Sequence, residues 1–372
     1  MMIDSGGGNM ASEAYKNSSA VSGLLNKIKP KKQEKEPKRS RKEEKARFKK
    51  RLENLTPAEQ KYLKRKRAFD KGWPILRGLI VFGLCFVILY PLLYMVSAAF
   101  RPQAEMNDPT IIWLPRSFTM SNINDAIRAM DFWNTLKRTL FINIGCSVVQ
   151  VVTCALTGYG FARFNFKGKT AFFLVVILMI LVPSQIILIP QYAFFRYFNP
   201  LGIYHLITGN YINLIDTPLT MYMPAITANG IRAGLFIFLF RQSFRGLPKE
   251  LEDAAALDGC NPLRTFTQVM VPNAGSTFLT VFLFSIVWYW NDYYVSTSFF
   301  TKNSTIALEL KNLSTTLKIV IFGNADTAVT VRELIVWMES GCLISILPLL
   351  VLYAALQKYF TEGIARSGLT GM

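Results

Sequence analysis

The chain has 372 residues, of which 51% are apolar, and its formal net charge is +18. Of that charge, +12 falls before Trp73, so the basic character is local and does not favour a nucleic-acid-binding protein. Five scattered cysteines without a Cys-x-x-Cys pair, and a single histidine, His205, argue against a disulfide framework and against a zinc site.

The first 72 residues are predicted to be a basic, largely disordered extension that ends in a short helix. Residues 1–55 are rich in Lys, Glu and Ser and poor in large apolar residues, and no signal-peptide stretch occurs at their start. Thr56 and Glu59 have the spacing of a capping box, and Pro57 suits a first helical position. The basic residues that follow fit either an anchor on anionic lipid headgroups or an ordinary topology signal.

Residues 73–372 are predicted to form an all-α domain with about six transmembrane helices. Six apolar stretches reach the length of about 20 residues that a helix needs to cross a bilayer. They cover 75–99, 139–161, 171–195, 218–240, 278–299 and 335–360. Four residues that disfavour an apolar helix interrupt the fourth stretch and leave its limits open. These are Pro224, Asn229, Gly230 and Arg232.

Charge in the links predicts that both termini lie in the cytoplasm. The short links after the second and fourth spans are basic, whereas the link 101–137 balances its bases with acids. Links rich in Lys and Arg stay on the cytoplasmic side, so we expect the longer links 101–137, 196–217 and 300–334 to face outward. These features predict a multi-pass protein of the plasma membrane.

The second span carries small residues spaced four apart, at Cys154, Gly158 and Ala162. Such a face lets two helix backbones approach closely. We therefore expect it to serve helix packing rather than solute contact.

The predicted cytoplasmic link 248–272 has the pattern of two short helices joined by a tight turn. Pro248 suits a first helical position, and acidic residues fill the first turn after it. Gly259 can adopt the left-handed conformation that ends a helix, and Asn261 can cap a second helix over 263–269. Prolines mark the start of this second helix and its exit into the fifth span, at Pro262 and Pro272.

This link resembles the signature of permease subunits in binding-protein-dependent ATP-binding-cassette importers. The signature is Glu-Ala-Ala, three residues, Gly, nine residues, Ile, one residue and Leu-Pro. The chain matches these spacings, with Asp253 for Glu, Val269 for Ile and Val271 for Leu. Further stretches look like the carbohydrate-uptake branch of the family, at 159–168, 182–183, 189–192, 290–292, 357–360 and 362–363. The resemblance covers most of the chain after the first span.

The resemblance implies the MetI-like fold of type I importer permeases, similar to the maltose-type permease subunit. In that family the signature element docks into a cleft on a separate ATPase, and closure of two ATPases alternates access to a central cavity. The coupling residues it implies here are Asp253, Ala254, Ala255, Asp258, Gly259, Val269 and Pro272. The partners it implies are a second permease in a heterodimer, a pair of ATPases, an extracellular solute-binding protein and a sugar. A plain helical hairpin is the alternative for 248–272.

The chain itself is expected to bind no cofactor, with ATP used by the partner ATPase. Its one Gly-Lys-Thr, at 168–170, lacks the glycine that a phosphate-binding loop requires five residues earlier, where Arg163 stands. We therefore expect a transport subunit and not an enzyme.

Solute contacts are expected from aromatic and hydrogen-bonding side chains near the ends or middle of the spans. The candidates are Gln185, Gln191, Tyr192, Trp288, Trp290, Asn291, Asp292 and Glu339. The aromatic residues of 288–294 fit equally an aromatic belt at the membrane interface, and Asp292 a structural partner there. Glu339, an acid inside the sixth span, is either a pathway residue or shallow enough to be solvated.

Two other classes of protein compete with the permease. An ion-coupled secondary transporter without an ATPase partner predicts paired charges within the spans, but Glu339 has no evident partner. A membrane-embedded enzyme needs a catalytic or metal-ligand cluster, and the spans carry none in sequence. The choice of a sugar over another solute rests on the resemblance alone.

Overall fold

The computed structural model describes residues 56–369, apart from 107, 109 and 112–113. The chain divides into two compact units, Met1–Cys85 and Phe86–Met372. In the described part of the first unit, the rings of Phe69 and Trp73 stack with centroids 5.7 Å apart. The segment predicted to be disordered, 1–55, lies outside the described residues.

The first helix, α1, covers Pro57–Ala99. The carboxylate of Glu59 accepts hydrogen bonds from the backbone N–H of Thr56 at 3.0 Å and from its hydroxyl at 2.8 Å. The start at Pro57 and its pairing with Glu59 confirm the predicted cap. The helix contains both the predicted short helix and the first predicted span, which are therefore not separate helices.

The rest of the described chain is helical and contains no strand. The helices are α2 Ser121–Ala129, α3 Phe132–Arg163, α4 Lys169–Leu181, α5 Ser184–Arg196, α6 Ile203–Thr208, α7 Leu219–Ile226, α8 Ala233–Gly246, α9 Glu250–Leu257, α10 Pro262–Thr265, α11 Val271–Asn273, α12 Gly275–Asn291, α13 Tyr294–Phe299, α14 Ile306–Phe322 and α15 Val331–Leu369. Short 3-10 turns occur at Gln103–Glu105 and Pro200–Gly202, and a π-helical turn occurs at Phe266–Met270.

Three described helices are long and apolar enough to cross a membrane, at Gly72–Ala99, Phe132–Arg163 and Val331–Lys358. They correspond to the first, second and sixth predicted spans. Two bent pairs raise the number to five if each pair is one span. Lys169–Leu181 meets Gln185–Arg196 at 104°, and Pro262–Asn273 meets Gly275–Asn291 at 80°. The prediction of six spans stays a prediction.

The third predicted span, 171–195, is bent rather than straight because a proline follows its first half. Val182 ends α4 in an extended conformation, with φ −74° and ψ 121°. The ring of Pro183 disfavours a helical conformation at the residue before it, so the helix ends there and α5 starts anew.

The fourth predicted span, 218–240, is not one helix. The eight-residue α7 and the 14-residue α8 are separated by a break in which Ala228 and Arg232 adopt positive φ, 53° and 59°. Side chains of α3 satisfy carbonyls that the break frees. Gln150 donates to Ile231 O at 2.6 Å, and Thr153 donates to Ala225 O at 2.8 Å.

The fifth predicted span, 278–299, also ends earlier than expected. Helix α12 stops at Asn291, and the carboxylate of Asp292 accepts a hydrogen bond from Ser296 N at 3.0 Å at the start of α13. Asp292 itself is extended, with φ −74° and ψ 114°, so α12 ends before it and a separate helix begins at Tyr294.

Helix α3 lies at the centre of the bundle and packs against α7, α8 and α12. A Cβ built on Gly158 would lie 2.6 Å from the Cβ of Phe240 on α8, so only glycine allows this approach. Cys154, one turn earlier, is fully buried against α8. The predicted packing role of this small-residue face is confirmed.

Asp216 joins the loop before α7 to the loop after α13. Its carboxylate accepts hydrogen bonds from three consecutive backbone N–H groups, 301–303, at 3.0 to 3.1 Å, and from the Thr301 hydroxyl at 3.1 Å. Burial raises the pKa of the Asp216 carboxyl, but these hydrogen bonds outweigh it, so the pKa lies below its ordinary value. Its φ is +67°, a conformation that aspartate and asparagine tolerate better than most residues.

Candidate coupling element and solute path

The segment 248–272 forms the predicted helix–turn–helix. Gly259 has φ +77°, and the N–H groups of Gly259 and Cys260 bond to Ala256 O at 3.1 Å and Ala255 O at 2.9 Å. This pair of bonds is a Schellman motif, which satisfies the last carbonyls of α9. Gly259 therefore ends the helix as predicted. Pro248 was expected to start it, but α9 begins at Glu250 and Pro248 lies outside it.

The second helix begins as predicted but does not continue as one α-helix. Asn261 Oδ1 accepts a hydrogen bond from Arg264 N at 2.8 Å, and Pro262 occupies the first turn. The chain stays helical over the expected 263–269, but after Thr265 it widens into the π turn before α11. Pro272 lacks the N–H that would bond four residues back, which removes one α-helical bond here. The bend of 80° follows Asn273, not Pro272 itself.

The outer face of this helix–turn–helix combines acidic and apolar side chains. Of the predicted coupling residues, Asp253, Ala254, Asp258, Gly259 and Pro272 are exposed, Val269 is half-buried and Ala255 is buried. Two leucines that the signature does not include extend this face, with Leu257 90% and Leu263 68% exposed. Both leucines are available to a partner that docks on the hairpin.

Glu252 fixes α9 to the end of α3. Its carboxylate accepts a hydrogen bond from Tyr159 OH at 2.8 Å and lies 3.3 Å from Arg163 Nε. Arg163 also donates to Leu247 O at 2.7 Å, just before the element. The Tyr159 ring packs against Phe266, with centroids 5.0 Å apart. We call Glu252, Tyr159 and Arg163 the tether.

None of the three tether residues was predicted as a site residue, although Tyr159 and Arg163 lie in the family-like stretch 159–168. The signature draws attention to Asp253, yet that side chain is exposed, and its neighbour Glu252 makes the intramolecular ion pair. The helical spacing of α9 could have indicated that Glu252 faces the protein. Glu252 lies three residues before the buried Ala255, so both share the face of α9 that packs on the protein.

The predicted path residues are dispersed. Gln185, Gln191 and Tyr192 lie on α5, and Glu339 lies half-buried on α15. Asn291 is exposed and donates to Val287 O at 2.8 Å. Among the described residues, no hydrogen bond or ion pair joins any two of the predicted path side chains.

Two of the aromatic residues at the end of α12, Tyr289 and Trp290, are buried in the bundle. Trp290 is 6% exposed, packs in a core cluster with α2, α14 and α15, and donates its indole N–H to Ser345 O at 3.2 Å. Tyr289 is buried and donates to Gln150 Oε1. Asn143 adds a hydrogen bond from α3 to Ile286 O at 2.9 Å. These contacts give Tyr289 and Trp290 a packing role.

Residues 154–366, more than half of the chain, match the family described as the inner membrane component of binding-protein-dependent transport systems. The chain belongs to this family. The match includes the helix–turn–helix, the tether residues and the broken fourth span, so all of these are features of a transport permease.

Relatives of this permease match over nearly their full length. An arabinooligosaccharides transport system permease protein of Halalkalibacterium halodurans is 28% identical over 81% of this chain and 99% of that protein. A diacetylchitobiose uptake system permease protein of Streptomyces coelicolor is 25% identical over 82% of this chain and 100% of that protein. An osmoprotective compounds uptake permease protein of Synechocystis is 27% identical over 81% of this chain and 93% of that protein.

The fold has a solved counterpart. A crystal structure of a bacterial ABC transporter involved in import of the acidic polysaccharide alginate contains a similar chain. The TM-score is 0.59 at 19% identity, and the match covers 78% of this permease and 97% of that chain. The likeness establishes an importer-permease fold.

Proposed function

We propose that this permease moves a sugar or oligosaccharide across the membrane as one half of a heterodimer with a second permease. An extracellular solute-binding protein delivers the sugar, and a pair of separate ATPases drives its passage. The arabinooligosaccharide and diacetylchitobiose uptake permeases among the relatives support the sugar. The chain needs no cofactor of its own, since ATP is used by its partners.

One observation carries the proposal: an exposed helix–turn–helix whose inner face is fixed to the central helix α3. The exposed side offers Asp253 and Asp258 with Leu257 and Leu263, a combination that suits a cleft with both basic and apolar walls. The basic links after the second and fourth predicted spans support a cytoplasmic position for this side and for both termini. An ATPase docked there would pull on α9.

The tether supplies the mechanical connection. Because Glu252 is bound to Tyr159 and Arg163, a displacement of α9 moves the end of α3 with it. Helix α3 in turn holds the break of the fourth span through Gln150 and Thr153. A pull at the helix–turn–helix therefore reaches the middle of the membrane through one rigid helix.

The experiment that tests docking replaces Gly259 with valine. A Cβ there meets nothing within 4 Å, so the substitution adds no clash, but φ +77° is strained for a β-branched residue. We expect ATP-driven uptake in vesicles to fall together with the affinity of the ATPases for the permease. Gly275→Val is the matched control, because Gly275 also has open space around it and no positive φ. Unchanged uptake and ATPase binding in Gly259→Val would refute docking at this element.

A further inference from the structure

The charged residues at the two ends of helix α3 indicate how deep each of its residues lies in the membrane. Its last charged residues at one end are Lys137 and Arg138, and its next charged residue is Arg163. The 25 residues from Arg138 to Arg163 span about 38 Å at 1.5 Å per residue. This length covers a hydrocarbon core of about 30 Å with part of each interface. Gln150 lies halfway and therefore marks the middle of the bilayer.

Arg232 lies at the same depth as Gln150. The Gln150 side chain donates to the carbonyl of the preceding residue, Ile231, at 2.6 Å. From the other side, Tyr289 of α12 donates to Gln150, which brings Trp288 to this level as well. The guanidinium carbon of Arg232 lies 5.5 Å from the centre of the Trp288 ring. An arginine and a tryptophan thus meet near mid-membrane.

The surface around Arg232 is unsuited to lipid. Arg232 is exposed, as are Thr227 and Asn229 in the same break. An arginine at the centre of a bilayer is energetically costly, and such residues face a bundle interior or a water-filled cavity. This face therefore borders the path or the second permease, both of which the proposed function provides.

Among the described residues, no acidic side chain forms an ion pair with Arg232. Neither of the two ion pairs described in the chain includes Arg232, and Asp292, one turn beyond Trp288, is engaged with the N–H groups that start α13. Arg232 also stands at the N-terminus of α8, where the helix dipole adds partial positive charge. Both contributions favour an anion at this point.

Trp288 holds the guanidinium in place. Its ring stacks against Phe236 of α8 at 5.5 Å and against Phe284 of α12 at 5.9 Å. These contacts fix the ring, and the cation–π contact with Arg232 then orients the fork of N–H donors. A planar fork suits the two oxygens of a carboxylate.

We infer that Arg232, positioned by Trp288, binds the carboxylate of an acidic sugar as it passes mid-membrane, so that this permease favours uronic-acid-containing oligosaccharides. The inference rests on the proposed function and adds a solute class to it. Arg232 supplies the charge-assisted hydrogen bonds, and the exposed edge of Phe284 offers an apolar neighbour for the sugar ring.

The test uses the complete importer, with second permease, ATPases and binding protein, in proteoliposomes. It compares ATP-driven uptake of an oligogalacturonate with that of a neutral oligosaccharide of the same length. We expect Arg232→Gln to lower the rate for the acidic sugar about 10- to 100-fold, the effect of losing hydrogen bonds to a charged group. The neutral sugar should change less than about twofold, within the range of an unperturbed site.

Three variants control the comparison. Arg232→Lys keeps the charge without the fork and should retain part of the preference for the acidic sugar. Trp288→Phe should reduce the ratio of acidic to neutral uptake in the same direction, since it weakens the contact that orients the guanidinium. Arg196→Gln removes an exposed charge on α5 and should leave the ratio unchanged.

The outcomes separate the two proposals. Uptake of the neutral sugar without uptake of the acidic one by the wild-type importer would overturn the inference and leave the proposed function standing. Equal loss of both sugars in Arg232→Gln would also overturn it, and would assign Arg232 to contact with the second permease. No ATP-driven uptake of either sugar would remove the proposed function itself.

Discussion

Replacing Glu252 by glutamine is the sharpest test of the tether between α9 and α3. The substitution keeps the shape of the side chain and an acceptor for Tyr159 OH, which lies 2.8 Å away. It removes the negative charge that faces Arg163 Nε at 3.3 Å. The exposed face of α9 is untouched, so the variant changes how the element is held and not what it offers to a partner.

The expected cost follows from the burial of the pair. The side chains of Arg163 and Glu252 are 13% and 17% exposed, between a surface pair worth up to about 1 kcal/mol and a buried one whose rupture costs about 3–5 kcal/mol. Arg163 keeps its bond to Leu247 O. We therefore expect a loss of about 1.5–3 kcal/mol, which corresponds to a roughly 10- to 150-fold easier detachment of α9.

Hydrogen exchange of the α9 amides in nanodiscs measures that detachment directly, because amides exchange when the helix opens locally. In Glu252→Gln, amide exchange over 250–257 should accelerate roughly 10- to 150-fold. Glu250→Gln on the same helix is exposed and should leave exchange unchanged. In vesicles, Glu252→Gln should transport less sugar per ATP hydrolysed. Exchange within twofold of the wild type would show that Glu252 does not hold α9.

Three further substitutions disturb contacts elsewhere in the bundle. Gly158→Leu should lower the thermal stability of the purified permease, with loss of folded protein on size-exclusion chromatography, because its Cβ alone would lie 2.6 Å from Phe240 Cβ. Gly230→Ala should lower the free energy of unfolding by about 1–3 kcal/mol, because a Cβ there would overlap Gln150 Oε1 and break its buried hydrogen bond with Tyr289. Stability equal to that of the wild type would contradict this prediction. Asp216→Asn should increase proteolysis of the loop after α13 at neutral pH. In the wild type the pKa of Asp216 is lowered, so its stabilising charge is present above the ordinary Asp pKa near 4 and is lost only as pH falls below that value.

Local chemistry in the sequence was enough to predict the turn at Gly259 and the cap at Asn261. Both depend on contacts within a few residues, and glycine and asparagine are the residue types that these backbone positions need. The cap at Thr56 and Glu59 was predictable for the same reason. Such features depend little on the rest of the fold.

The continuity of the spans was not predictable in the same way. Hydropathy reports whether a stretch can enter hydrocarbon, but not whether its backbone stays helical. The break over 227–232 is tolerated because two side chains of α3, more than 70 residues earlier, bond to carbonyls at the break. Gln150 donates to Ile231 O, and Thr153 donates to Ala225 O. Trp290 shows the same limit, since its indole N–H finds Ser345, 55 residues away, and its burial could not be inferred from its neighbours.

Helix α3 explains why these long-range contacts belong together. At one end Tyr159 and Arg163 bind the helix–turn–helix, and at mid-length Gln150 binds the break of the fourth span. Near the other end Thr139 accepts a hydrogen bond from Ile306 N at 3.0 Å, at the start of α14. Because a helix transmits axial displacement with little internal change, a pull on α9 shifts all three sites together. The break next to Arg232 is the most compliant of these sites, since it has no continuous helical hydrogen bonding. In the proposed function, movement of α3 is therefore expected to change the position of Arg232 more than that of the other two sites.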